Sequence, residues 1–178
     1  SDGLMEITGS GAMPDYTQFN SNDIPWYSYV SAIKRIKIGE GITYIGNYSF
    51  YTHTALQSVA LSNSIKNIGD SAFAFSGKLA EVTVSKNLET IGDSAFLYCD
   101  NLSAFDFVDT ITTIGQNAFY NCALTHVIVP AKTTLIKSGA FAGNKLSSIE
   151  VHEDNMEYCA EGGVLYNIDK TELICYPL

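Results

Sequence analysis

Ile68-Gly69-Asp70-Ser71-Ala72-Phe73 is one of five versions of the same short phrase in this chain. The others are Ile45-Gly46-Asn47-Tyr48-Ser49-Phe50, Ile91-Gly92-Asp93-Ser94-Ala95-Phe96, Ile114-Gly115-Gln116-Asn117-Ala118-Phe119 and the worn Ile136-Lys137-Ser138-Gly139-Ala140-Phe141. Their leading isoleucines stand 23, 23, 23 and 22 residues apart. A fixed period in the twenties is the mark of a solenoid, whose coils each bury one face against the next.

Working outward from the phrase, each coil opens on an apolar residue followed by two more in alternation. These are Ile33, Ile36, Ile38; Leu56, Val59, Leu61; Leu79, Val82, Val84; Leu102, Phe105, Phe107; and Leu124, Val127, Val129, with a sixth start at Leu146, Ile149, Val151. Alternation with period two predicts short strands, which successive coils must lay side by side in parallel. A second apolar column runs Ile42, Ile65, Leu88, Ile111, and Thr133 stands where the fifth coil would continue it. Within the phrase, the glycine is expected to turn the backbone at a φ that side chains resist. In the column after it, Asn47, Asp70, Asp93, Gln116, Ser138, four of the five are favoured N-caps for a short helical turn. The closing Phe plugs the interior, worth about 1.5 to 3 kcal/mol per ring.

Both ends depart from the period. Leu4 to Thr8 alternates like a short strand, Gly9-Ser10-Gly11 breaks it, and a polar loop leads to Ile24-Pro25-Trp26-Tyr27. Residues 1–32 are expected to cap the first coil. An exposed sugar-stacking platform of Trp26 and Tyr27 is the alternative. Residues 33–151 form the repeats, and residues 152–178 a closing β-hairpin, Val164–Asn167 against Glu172–Pro177 around a polar turn.

The formal net charge is −9 over 178 residues. It divides as −4 over residues 1–32, +1 over 33–147 and −6 over 148–178. A nearly neutral body lacks the basic face that phosphate backbones need, which argues against nucleic acid as a partner. Acidic ends suit solvated caps on a stack that must not polymerise. No apolar run reaches the roughly 18 residues of a transmembrane helix, and no basic-then-apolar leader opens the chain.

These columns resemble the BspA-type leucine-rich repeats of bacterial surface proteins, whose coils read L-x-x-I-x-I-P-x-x-I-x-x-I-G-x-x-A-F-x-x-C. Cys99 and Cys122 stand at the cysteine column. Gly9 to Tyr16 with Pro25-Trp26, and Asp154 to Tyr158 with Gly163 to Lys170, are also similar to the family's ends. The resemblance implies a leucine-rich-repeat solenoid of about five coils, of the α/β kind with parallel strands and short helical turns. It also implies export or surface attachment in a bacterium, with lipid anchoring through a leader, and a role in adhesion or protein binding.

Chemistry is sparse. No His-Glu-x-x-His, Gly-x-Ser-x-Gly or glycine-rich phosphate loop appears. His126 and His152 fall in neighbouring coils but about 14 Å apart along the sheet, too far to share a metal. Asp70 and Asp93 belong to the capping column rather than to a catalytic pair. The four cysteines permit three full pairings and fix none. No cofactor, metal or catalytic residue is therefore expected. The binding candidates are the outward residues of the strand face: Arg35, Lys37, Ser58, Glu81, Thr83, Asp106, His126, Ile128, Glu150 and His152. The expectation is a monomeric, non-enzymatic, extracellular or cell-surface module holding a protein ligand on that face. A passive spacer or segment of a longer array is the first alternative, and a glycan-binding module the second.

Overall fold

The computed structural model describes residues 2–18 and 23–177. Part of the polar loop expected between Tyr16 and Ile24 lies outside them. Strands appear in the order β1 (Leu4–Ile7), β2 (Gly11–Ala12), β3 (Arg35–Ile38), β4 (Ile42–Ile45), β5 (Ser58–Leu61), β6 (Asn67–Ile68), β7 (Glu81–Thr83) and β8 (Thr90–Ile91). They continue with β9 (Thr113–Ile114), β10 (His126–Val129), β11 (Leu135–Ile136), β12 (Ser148–Val151), β13 (Tyr158–Glu161), β14 (Val164–Asn167) and β15 (Leu173–Cys175).

The strands form a solenoid with two parallel faces. One face orders β1-β3-β5-β7, with β10-β12 as a separate pair further on; the other runs unbroken as β2-β4-β6-β8-β9-β11. The period sets the register, since residues one repeat apart sit opposite each other: Ile36 pairs Val59 and Ile68 pairs Ile91. The predicted apolar columns, from Ile36 to Val127 and from Ile45 to Ile114, are buried between the faces, except that Val82 is partly buried.

The phrase closes each coil, though by turns rather than helix. Every convex turn carries two residues at positive φ, as in Ser71 (53°) and Phe75 (61°), or Ser94 (57°) and Tyr98 (56°). Between them, alternate amides point along the solenoid axis. Ser71, Phe73 and Phe75 donate to the carbonyls of Asp93, Ala95 and Leu97 in the next coil, at 2.8, 2.8 and 2.7 Å. Coil-to-coil bonding of this kind competes with the local i-to-i−4 bonds of a helix, and here it replaces them.

The signature glycines therefore have a different reason from the one expected. Gly92 and Gly115 do not have positive φ. A Cβ on Gly92 would come within 2.6 Å of Asp70 Oδ1 and the Gly69 carbonyl carbon, and one on Gly115 within 2.4 Å of the Gly92 carbonyl carbon. Close approach of coils excludes a side chain there.

The signature phenylalanines stack in file. Centroid separations are 5.2 Å for Phe50–Phe73, 5.3 Å for Phe73–Phe96 and 5.2 Å for Phe96–Phe119, widening to 6.1 Å for Phe119–Phe141. The widening has a cause in the fourth coil. Phe105 reaches 4.9 Å from Phe119, and Phe107 packs at 5.2 Å from Phe119 and 5.7 Å from Phe141. Other coils hold aliphatic residues at these positions. Two rings drawn into the file take the backbone out of ladder geometry, and no strand forms over 102–108. The strand expected at Phe105 and Phe107, with Asp106 on its outward side, is thus corrected to a loop.

At the N-terminal end, Trp26 extends the file, 5.5 Å from Phe50 and nearly parallel to it. Its indole N–H donates to the Ser49 carbonyl at 2.8 Å. It forms a half-buried lid on the stack. At the other end, β13, β14 and β15 form a three-stranded antiparallel sheet. The expected hairpin is two of its strands, and Tyr158–Glu161 is the third.

Candidate binding face

On the β1-β3-β5-β7 face, the period aligns residues whose side chains point outward. Arg35, Ser58 and Glu81 share one row and Lys37, Ala60 and Thr83 the next, with Leu4 and Glu6 alongside. Leu4, Arg35, Lys37, Ser58, Glu81 and Thr83 line one shallow depression of about 270 Å³. The two cations are held by β1 and the residue just before Gly3. The Arg35 guanidinium pairs with the Asp2 carboxylate, and Lys37 Nζ donates to Glu6 Oε1 at 3.0 Å. Such exposed pairs contribute about 1 kcal/mol or less each, but they fix where the charges stand. Among the described residues Glu81 has no ionic partner, so the depression carries one uncompensated carboxylate.

The other candidates lie elsewhere. Asp106 sits in the loop of the fourth coil, beside a separate hollow with Lys86 and Asp109. His126 and Ile128 project from β10 and Glu150 from β12, across the broken coil. His152 follows β12, and its Nδ1 accepts the Asp154 amide at 3.2 Å. The structure thus gathers Arg35, Lys37, Ser58, Glu81 and Thr83, and leaves Asp106, His126, Ile128, Glu150 and His152 outside that group.

The column Asn47, Asp70, Asp93 caps across coils instead of within them. Asn47 Oδ1 accepts the Asp70 amide, Asp70 Oδ1 the Asp93 amide and Asp93 Oδ1 the Gln116 amide, at 2.6, 2.8 and 2.8 Å. Asp15 starts the series by accepting the Asn47 amide at 2.8 Å. Burial raises the Asp93 carboxyl, but Lys137 Nζ at 2.9 Å and the Gln116 amide outweigh it and hold the group below the ordinary range. The cysteine column is structural too. Cys99 and Cys122 Sγ donate to the Phe73 and Phe96 carbonyls at 3.3 and 3.1 Å. Burial pushes the Cys99 thiol well up and Cys122 to about 12, which removes the thiolate on which cysteine reactivity depends. All four cysteines are free. Among the described residues no group of three His, Cys, Asp or Glu converges as metal ligands, and no helix is long and apolar enough to cross a membrane.

One surface feature went unpredicted. Tyr51, Phe75, Tyr98 and Tyr120 form a row over the convex turns, 5.5, 5.2 and 5.7 Å apart. Phe75 and Tyr98 are 39% and 38% exposed and wall a groove with Lys78, Asp100 and Asn101. The signal lay in the aromatic residue one or two places after each of the first four signature phenylalanines.

Solved structures place this geometry among bacterial proteins. A leucine-rich repeat protein from Eubacterium ventriosum is 36% identical, superimposes with a TM-score of 0.87 and matches 99% of this chain, which covers 46% of that one. A leucine-rich cell surface protein from Faecalibacterium prausnitzii is 25% identical with a TM-score of 0.65, over 98% of this chain and 54% of its own. The T. pallidum leucine-rich repeat protein is 25% identical with a TM-score of 0.66, over 79% and 63%. The chain therefore spans less than two thirds of each. No protein of curated function matches it. Six copies of the BspA-type leucine-rich repeat fit residues 24–156, and with the coil geometry above they make the chain a member of the BspA-type leucine-rich repeat family.

Proposed function

We propose that the chain is a non-enzymatic binding module displayed outside a bacterial cell, holding a protein ligand on the strand face of β1, β3, β5 and β7. The observation that carries this reading is the single depression into which three adjacent strands, β3, β5 and β7, bring Arg35, Lys37, Ser58, Glu81 and Thr83, with Leu4 of β1 beside them. Repeat proteins bind through extended surfaces shared by neighbouring repeats. The mixed charges, with both cations fixed by partners, suit a polar protein surface better than a polyanion. Family membership and the cell-surface description of the Faecalibacterium relative support display outside the cell.

The test is binding of the purified chain to an array of extracellular-matrix proteins and glycans at physiological salt, beside the variant Arg35→Ala/Lys37→Ala/Glu81→Ala. Saturable protein binding lost in the folded variant supports the reading. Binding to no protein at tens of micromolar would overturn it. A second reading, one segment of a longer array, is favoured by a specific observation: the chain spans only 46% of the Eubacterium relative.

A further inference from the structure

The amide ladder over the convex turns has a direction, and so it has two unlike ends. In every coil the donors face the C-terminal neighbour and the acceptors face the N-terminal one. At the N-terminal end the acceptors of the first coil are all met. The Tyr16 amide reaches the Asn47 carbonyl at 2.9 Å, the Trp26 indole the Ser49 carbonyl at 2.8 Å, and the Thr52 hydroxyl the Tyr51 carbonyl at 2.7 Å. At the C-terminal end the corresponding donors are the amides of Gly139, Phe141 and Gly143. Their counterparts one coil earlier, Asn117, Phe119 and Asn121, donate to Ser138, Ala140 and Ala142 at 3.1, 2.8 and 2.9 Å. Among the described residues nothing accepts from Gly139, Phe141 or Gly143.

The C-terminal sheet covers this edge only in part. Tyr158 Oη accepts the Ile136 amide at 2.8 Å, closing the end of β11. Beyond that point the chain opens into a cavity of about 310 Å³ between the fifth turn and β15, walled by Leu173, Cys175 and Tyr176. Ile136, Gly139, Phe141 and Gly143, the residues of the unpaired carbonyl and the three amides, are among its lining residues. Phe141 is buried, Gly139 half-buried and Gly143 exposed. A buried amide ordinarily has a partner, so this row, with Phe141 at its centre beside an apolar cavity, marks a place for a ligand rich in carbonyl groups.

We propose that this cavity is a peptide-binding site, and that its ligand is a short partner segment supplied in trans, with one amide donor followed by carbonyls at alternate residues. The repeat itself supplies the pattern. In each earlier coil, the residue in the signature-glycine column donates to the preceding isoleucine carbonyl, as Gly69 does to Ile45 at 2.8 Å, and the next, third and fifth residues after it accept. Six residues of the form Gly-x-x-Ala-x-x therefore satisfy the whole edge. The small residues suit the close approach that Gly69 and Gly92 require between coils. A second copy of the chain does not fit end to end. Its matching acceptors are already used by Tyr16, Trp26 and Thr52, and its open edge, β1, belongs to the other face.

The probe is an acetylated, amidated peptide with the sequence of residues 66–77, added to the isotopically labelled chain. In the free protein, amide exchange at Gly139, Phe141 and Gly143 should run about 100-fold faster than at Asn117, Phe119 and Asn121. Adding peptide should shift those three resonances saturably and slow their exchange about 10-fold. A peptide with Val in place of the glycine corresponding to Gly69 should bind at least about 10-fold more weakly, as should Leu173→Trp, a change at an exposed wall residue that fills the cavity. Slow exchange at all three amides before peptide is added, or no shift at millimolar peptide, would overturn the proposal.

Discussion

Gly92 and Asp93, neighbours in the third signature, do two different jobs in the same turn. Gly92 lets coils approach to a separation at which even a methyl group would meet backbone. Gly92→Ala should therefore destabilise the chain by about 1 to 3 kcal/mol, the usual cost of overpacking, as read by urea unfolding. A change below about 0.5 kcal/mol would contradict the close-approach argument. Asp93 joins the third and fourth coils through its oxygen and reaches Lys137 through its charge. Because its folded pKa is depressed, its ionic contribution is complete above the unfolded aspartate value, about 3.9, and disappears as pH falls through the folded value. Asp93→Asn keeps an amide-accepting oxygen and loses the ion pair. It should cost less than about 1 kcal/mol at pH 7, given the exposure of the pair, and nothing in acid. Equal costs at pH 7 and in strong acid would show that the charge does not matter.

At the scale of elements, the apolar columns made the strands legible because one residue per coil has to face inward at the same height. Turn chemistry was less legible. Asp70 and Asp93 look like helix caps in one dimension, and only stacking reveals that each serves the following coil. The strand lost from the fourth coil was hidden for a related reason. Phe105 and Phe107 fit an alternating pattern as well as Val or Ile does, and their excess size shows only where they meet Phe119 and Phe141. Tyr158–Glu161 escaped because its alternation is weak and its partner strand comes after it. The N-terminal lid offers a sharper test. Trp26→Phe preserves an aromatic ring over Phe50 but leaves the buried Ser49 carbonyl without its donor, and should cost about 1 to 3 kcal/mol in thermal or urea unfolding. Trp26→Ala, which also uncovers the Phe file, should cost about 3 to 5 kcal/mol. Indistinguishable losses in the two variants would mean that the indole hydrogen bond contributes nothing.

For the whole molecule, the period that makes the fold readable also limits what can be read about function. Every coil presents an outward row, so the sequence offered ten candidates of equal standing. The broken fourth coil divides them, and five share a depression while the rest do not. That division depends on packing between coils, which no single column reports. The convex aromatic row of Phe75 and Tyr98 competes with the strand face as a contact surface. The direct test is to compare ligand affinity of the wild-type chain with Arg35→Ala/Lys37→Ala/Glu81→Ala and with Phe75→Ser/Tyr98→Ser, each verified as folded. Binding through the strand face requires the first variant to weaken affinity at least about 30-fold, the loss of about 2 kcal/mol expected at a binding hot spot, and the second to change it less than about 3-fold. The opposite ranking, with the convex variant losing affinity and the strand-face variant keeping it, would contradict the assignment of the binding face.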